Sequence, residues 1–211
     1  MPRTIRAGED AALLRPRTAH AASQTLFTRI KWSGDAGTRA KYNLAMSKPR
    51  DLARLPVTAA IRMLRTHDVA WTDHPYDYEE RGGTAVSARE LGVDEHACIK
   101  TLIMEDDARR PLVMLMHGDR EVSTKNLARA MAVKSVQPCT PEVADRHSGY
   151  QVGGTSPFGT RRTLPVYLQR TIADLPYLYV NGGHRGYLVG MQPAELIRVL
   201  RPILVDAATT P

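Results

Sequence analysis

Residues 97–118 read ACIKTLIMEDDARRPLVMLMHG. Two apolar runs, 97–105 and 111–118, flank the polar stretch DDARR, a pattern that predicts two strands joined as a hairpin. Within the first run successive side chains face opposite ways. Ile99, Thr101 and Ile103 share one face, while Cys98, Lys100, Leu102 and Met104 share the other. Lys100 therefore points into apolar company. A buried ammonium is costly unless it meets an anion or lines a cavity; the plainer alternative is a lysine snorkelling from an edge strand.

On either side of this hairpin the pattern alternates. LPVTAAIRMLRTHD (55–68) has helical spacing, and a short strand is expected from Val69 to His74. TAVSARELG (84–92) reads as a helix starting at Thr84 and stopped by Gly92. STKNLARAMAV (123–133) is expected to be a helix capped by Ser123. TPEVADRHSG (140–149) is another, with Thr140 as cap and Pro141 in the first position. Strands are expected at 163–169, 177–181 and 187–190, and PAELIRVLRPIL (193–204) begins as a closing helix. Strands and helices interleave irregularly, which argues for a mixed α/β domain built on a mixed sheet or barrel and against a doubly wound parallel sheet.

The chain has 211 residues, 43% hydrophobic and 24% charged, as in an ordinary globular domain. No apolar run approaches the roughly 20 residues of a membrane span. The two cysteines, Cys98 and Cys139, have neither metal-ligand nor disulfide-framework spacing and read as small buried side chains in a reducing, cytoplasmic setting. His74, His117 and His147 have no ligand spacing, so no metal and no cofactor is expected. The net charge of +7 is uneven: residues 1–45 hold eight Lys/Arg against three acids, leaving +2 for the other 166 residues. Residues 1–45 are expected to be a disordered basic extension, a transit-type segment, or a stretch upstream of a natural start at Met46, with the working domain at 46–211. A body so mildly basic is not expected to select nucleic acid strongly by itself.

Two glycine-rich stretches remain. GYQVGGTSPFG (149–159) lacks the Gly-Lys-Ser/Thr ending of a phosphate-binding loop and the spacing of a dinucleotide fingerprint. Nor is it a nucleophile elbow, because Pro157 follows Ser156 and has no amide to donate. What remains is a main-chain cradle at Gly153 and Gly154, or a plain structural turn. NGGHRG (181–186) follows a strand and repeats the theme with Asn181, Gly182 and Gly183; His184 and Arg185 read as phosphate contacts or, more often for lone exposed residues, as solvated. Two such loops facing one cavity with Lys100 on its floor would suit a ligand bearing an anion and an ester.

Together CIKTLIM, GYQVGGTSPFG and YVNGGHRG resemble the YbaK/EbsC family of free-standing aminoacyl-tRNA deacylases, related to the editing domain of bacterial prolyl-tRNA synthetases. The resemblance runs from about Leu55 to Leu204 and is nearest to the branch acting on cysteinyl-tRNA(Pro). It implies an irregular mixed sheet or barrel surrounded by helices and a cytoplasmic trans-editing enzyme without cofactor. Its partners would be the 3′ end of charged tRNA and a prolyl-tRNA synthetase, with neither DNA nor membrane. It also assigns roles. Lys100, Gly153, Gly154 and Ser156 correspond to the catalytic set, with the lysine near the terminal adenosine and its phosphate. Tyr76, Pro157, Gly159, Asn181, Gly182 and Gly183 correspond to substrate-binding positions. In that branch the substrate's own thiol is thought to attack, giving a thiolactone. One departure stands out: where the branch reads Gly-Leu-Asp this chain reads Gly-Tyr-Leu, so Leu188 replaces an aspartate. Removal of another small amino acid such as alanine, or a non-catalytic tRNA- or nucleotide-binding role, stays open on that ground.

Overall fold

The computed structural model describes residues 55–209; the readings made for residues 1–45 and for Met46 lie outside them. Helix α1 (Ala59–Thr66) starts where the Thr58 hydroxyl accepts from the Ile61 N–H at 3.1 Å, four residues later than its apolar pattern suggests. It buries Ala60, Ile61 and Leu64. β1 (Thr72–Pro75) leads to α2 (Gly83–Leu91), which Gly92 ends in the left-handed region. Thr84 lies inside α2 and does not cap it. Its hydroxyl instead donates to Glu95 Oε1 at 2.8 Å, tying the helix to the short 3-10 segment Glu95–Ala97.

The hairpin forms as expected. β2 (Cys98–Asp106) and β3 (Pro111–His117) pair antiparallel from Ile99 opposite His117 to Glu105 opposite Pro111. Ser123 caps α3 (Thr124–Ala130), accepting from the Asn126 N–H at 3.3 Å. Thr140 precedes α4 (Pro141–Ser148), with Pro141 at its start and Gly149 in the left-handed region beyond it. Between α3 and α4 lies a strand the sequence pattern did not announce, β4 (Val136–Pro138). β5 (Val166–Gln169), β6 (Leu178–His184) and β7 (Tyr187–Met191) follow, then α5 (Pro193–Leu200). The closing helix is shorter than expected: Arg201 turns left-handed and the apolar residues after it form β8 (Ile203–Val205).

These strands make one mixed sheet in the order β1-β7-β6-β2-β3-β5-β8, with β4 on β2. The path is open from β1 to β8, so a sheet forms and not a closed barrel. The alternation read in β2 holds. Ile99 and Ile103 enter the core beneath α1, which also buries Tyr150, Phe158 and Leu196, whereas Leu102 and Met104 pack with Leu127 of α3. Cys98 sits in a third cluster with Ala88, Leu91, Tyr179 and Leu188.

Candidate functional site

The site follows from how β2 is flanked. On the side away from β3, its first residues pair with β6 (Cys98 with Tyr179, Ile99 with Val180) and its last with β4 (Met104 to Asp106). Between Ile99 and Met104 no strand among the described residues pairs on that side. The Cys139 N–H reaches the Ile103 carbonyl there at 3.0 Å. Because main-chain groups alternate along a strand, those of Thr101 point toward the same gap.

A cavity of about 620 Å³ fills this gap. Both faces of β2 line it, Ile99, Thr101 and Ile103 from one and Lys100 and Leu102 from the other. One wall can hold both faces of a strand only around an unpaired edge. Lys100 is thus neither buried in apolar packing nor fully solvated. Its side chain is 20% exposed and its ammonium lies 3.1 Å from Glu121, whose own side chain is 82% exposed. Such a pair is weakly held and open to exchange.

Opposite Lys100 stand the two glycine stretches, clamped to each other. Asn181, nearly buried in β6, donates from Nδ2 to the Gly153 carbonyl at 3.2 Å. Its Oδ1 accepts from the N–H groups of Gly183 (2.7 Å) and His184 (3.1 Å). The NGG run is accordingly a register shift inside β6, between Asn181 and His184, and not a loop after the strand. Arg185 adds a second tie, donating from Nε to the Val152 carbonyl at 3.0 Å with its guanidinium 5.2 Å from the Tyr78 ring centroid.

Of the residues expected at the site, Tyr76, Lys100, Gly153 and Asn181 line the cavity; Gly154, Ser156, Pro157, Gly159, Gly182 and Gly183 do not. Ser156 is fully buried, and its Oγ accepts from the Phe158 N–H at 3.3 Å. At Gly154 a Cβ would meet the Arg185 nitrogen at 2.9 Å. At Gly159, where φ is +63°, it would meet the Ala59 carbonyl oxygen at 2.5 Å. Glycine is needed at these two positions so that main chain can pack on main chain. Gly153, at φ +90°, is exposed on the wall.

Among the wall residues not assigned to a site in the sequence, Tyr78, Glu80 and Arg81 come from the segment leading into α2, and Thr101 and Cys139 flank the β2 gap; Arg185, read as solvated or touching phosphate, is half-buried on the wall. The Thr101 Oγ is buried without a hydrogen-bond partner among the described residues. A hydroxyl on the apolar face of β2 was the available signal. Leu188, standing where the resemblance expects an aspartate, is also on the wall and makes that part of it apolar. Burial raises the Tyr76 phenol above its usual range, so it stays protonated at neutral pH. Desolvation, with Glu105 adding to it, pushes the Cys139 thiol up to about 11. No histidine among the described residues lines the cavity, and a thiol held at that value is a poor nucleophile near pH 7. The wall therefore offers three basic side chains (Lys100, Arg81 and Arg185), the exposed Glu80 carboxylate, aromatic and apolar surface, and main-chain groups, but no activated side-chain nucleophile among the described residues.

The chain is similar to several known proteins. The Enterococcus faecalis protein named "Putative Cys-tRNA(Pro)/Cys-tRNA(Cys) deacylase EbsC" is 28% identical over 153 residues, 72% of this chain and 93% of that protein. A proline–tRNA ligase of Nitratidesulfovibrio vulgaris is 30% identical over 105 residues, half of this chain and 17% of the ligase. Among solved structures, a "putative trans-editing enzyme for prolyl tRNA synthetase" superposes with a TM-score of 0.64 at 20% identity, covering 74% of this chain and all of that one. The "hypothetical protein APE2540" gives 0.66 at 20% identity, covering 72% and 99%. The model of the aminoacyl-tRNA editing domain matches residues 79–199, from the approach to α2 through the gap in β2 and both glycine stretches into α5, and the chain belongs to that family.

Proposed function

We propose that this protein is a cytoplasmic trans-editing deacylase that cleaves the ester of mischarged tRNA, Cys-tRNA(Pro) first and Cys-tRNA(Cys) with it. The observation that carries the reading is the gap on β2, which sets an exchangeable ammonium, Lys100, across one cavity from main chain at Gly153. In this reading the phosphate of the terminal adenosine takes Lys100 from Glu121, and the aminoacyl group lies toward Gly153 and Leu188.

With no activated nucleophile on the described wall, catalysis rests on positioning and on dipoles aimed at the developing oxyanion. For a cysteinyl ester the substrate thiol loses its proton and its sulfur attacks the carbonyl carbon. The ester C–O bond then breaks, the tRNA 3′-oxygen takes up a proton, and a thiolactone leaves. For other amino acids water attacks in place of the thiol and gives the free acid. Selection of the tRNA falls to a prolyl-tRNA synthetase partner, since the body of the chain carries little net charge. A tenfold unaided preference for tRNA(Pro) over tRNA(Cys) bearing the same amino acid would contradict that partnership.

Leu188 supports a second reading, in which the apolar wall favours the methyl group of alanine over the thiol of cysteine. The test is a deacylation time course on Cys-tRNA(Pro), Ala-tRNA(Pro) and Pro-tRNA(Pro). Loss of cysteine alone supports the first reading and loss of alanine alone the second. Tight tRNA binding with no turnover on any of the three marks a binding homologue and overturns both.

A further inference from the structure

A second concavity lies between α3 and the start of β4. This groove, about 410 Å³, is walled by Lys125 and Arg129 of α3 and by Lys134 and Ser135 of the segment entering β4, with no acidic side chain among the described residues that line it. Lys125 and Arg129 are four residues apart on one helix and so present their charges on one side. All three cations are exposed, and none is in an ion pair among the described residues. Lone cations occur elsewhere in the described fold too, Arg62, Arg65 and Arg201 among them, but here three line one concavity. Asp107 accepts from the Lys134 main-chain N–H at 3.1 Å, so this carboxylate meets the backbone of Lys134 and not its ammonium. Arg129 has only the neutral Asn126 side chain, at 3.3 Å.

β4 touches both cavities: Val136, at its start, lines the groove and Pro138, at its end, lines the cleft. We infer that the groove of Lys125, Arg129 and Lys134 binds the phosphodiester backbone of the acceptor stem when the 3′ end occupies the cleft. The inference rests on the deacylase reading for what enters the cleft. Three unpaired cations in a concave site without a carboxylate suit a polyanion, and successive backbone phosphates supply one. Contacts of this kind carry no sequence information. The groove therefore provides affinity and orientation for any charged tRNA and leaves selection to the synthetase.

The test compares wild type with the triple variant Lys125→Gln/Arg129→Gln/Lys134→Gln. Affinity for uncharged full-length tRNA is followed by fluorescence anisotropy between about 50 and 200 mM salt. The slope of log affinity against log salt is expected to flatten by about 2 to 3, near 0.9 for each phosphate that is no longer neutralised, with affinity at low salt falling at least roughly tenfold. In parallel, kcat/KM on charged full-length tRNA is divided by kcat/KM on a 3′-aminoacyl adenosine 5′-phosphate, which keeps the phosphate proposed for Lys100 and has no chain to reach the groove. That ratio is expected to fall at least roughly tenfold as the cations that hold phosphates are removed. An unchanged slope and ratio would overturn the inference, and so would equal losses on both substrates, which would mean the cleft itself had been disturbed. Wild type that binds tRNA with the expected slope change in the variant, yet deacylates nothing, would uphold the groove and overturn the deacylase reading.

Discussion

Residues 152–155 and 156–159 are adjacent halves of one glycine loop, and they face opposite ways. Val152, Gly153 and Thr155 line the cleft. Ser156 and Phe158 are fully buried, and Gly159 packs on the start of α1 with its N–H 3.0 Å from the Met63 sulfur. The Tyr150 hydroxyl donates to the Phe158 carbonyl at 2.6 Å and closes this inner half on itself. Glycine and serine enrichment over the whole loop thus has two causes. In the outer half Gly153 leaves main chain open on the cleft wall, while Gly154, like Gly159 in the inner half, lets main chain pack on main chain.

Substitutions in the two halves should separate by readout. Phe158→Ala empties a fully buried site and is expected to cost about 3–5 kcal/mol, lowering the thermal midpoint by about 10 °C. Deacylation measured well below that midpoint should change little, and a large loss there would erase the distinction between the halves. Gly153→Ala forces a side chain into φ +90° and against the Tyr78 hydroxyl. It should lower kcat/KM on charged tRNA roughly tenfold to a hundredfold, with a midpoint shift of only a few degrees, as expected when a main-chain donor no longer reaches the transition state.

Asn181→Ala removes the one hydrogen bond that ties the outer half to β6, at the Gly153 carbonyl, and the two that hold the register shift within β6. Leaving such groups unpaired costs about 1–3 kcal/mol, so a midpoint several degrees lower and a kcat roughly tenfold lower are expected together. An effect on stability alone would show that the clamp does not position the cleft. The smallest effect belongs to Glu121→Gln. It removes the carboxylate that competes for Lys100, and KM should fall about twofold to threefold, in keeping with the modest strength of an exposed pair. A rise in KM would show instead that Glu121 helps to hold substrate.

What was legible in the sequence was local. Ser123, Gly92 and the Thr140-Pro141 start mark helix ends through bonds and angles within a few residues, and they lie where they were read. The β2–β3 hairpin was legible for the same reason, its two apolar runs being joined by a short polar turn. β4 and β8 are three residues each and exist through their partners, so no periodicity could announce them. Lys100 stood out because a charge in an apolar strand has few explanations. Thr101 beside it did not, because threonine is ordinary in strands. The gap itself is set by β6 leaving β2 after Ile99 and β4 arriving at Met104. Those strands are far from β2 in sequence, so the cavity wall could be read only in part, and Ser156, Pro157 and Gly159 were assigned to the site through the family resemblance.

The central claim is that esters are cleaved in the cleft at the β2 gap, with Lys100 holding the 3′ end. The direct measurement is a deacylation time course on Cys-tRNA(Pro) for wild type and Lys100→Ala, with thermal midpoints recorded for both. The account predicts a fall of at least roughly a hundredfold in kcat/KM, at the upper end of what a hydrogen bond from a charged group contributes, with midpoints within a few degrees. Equal rates from the two proteins would contradict it and move the chemistry away from this cleft.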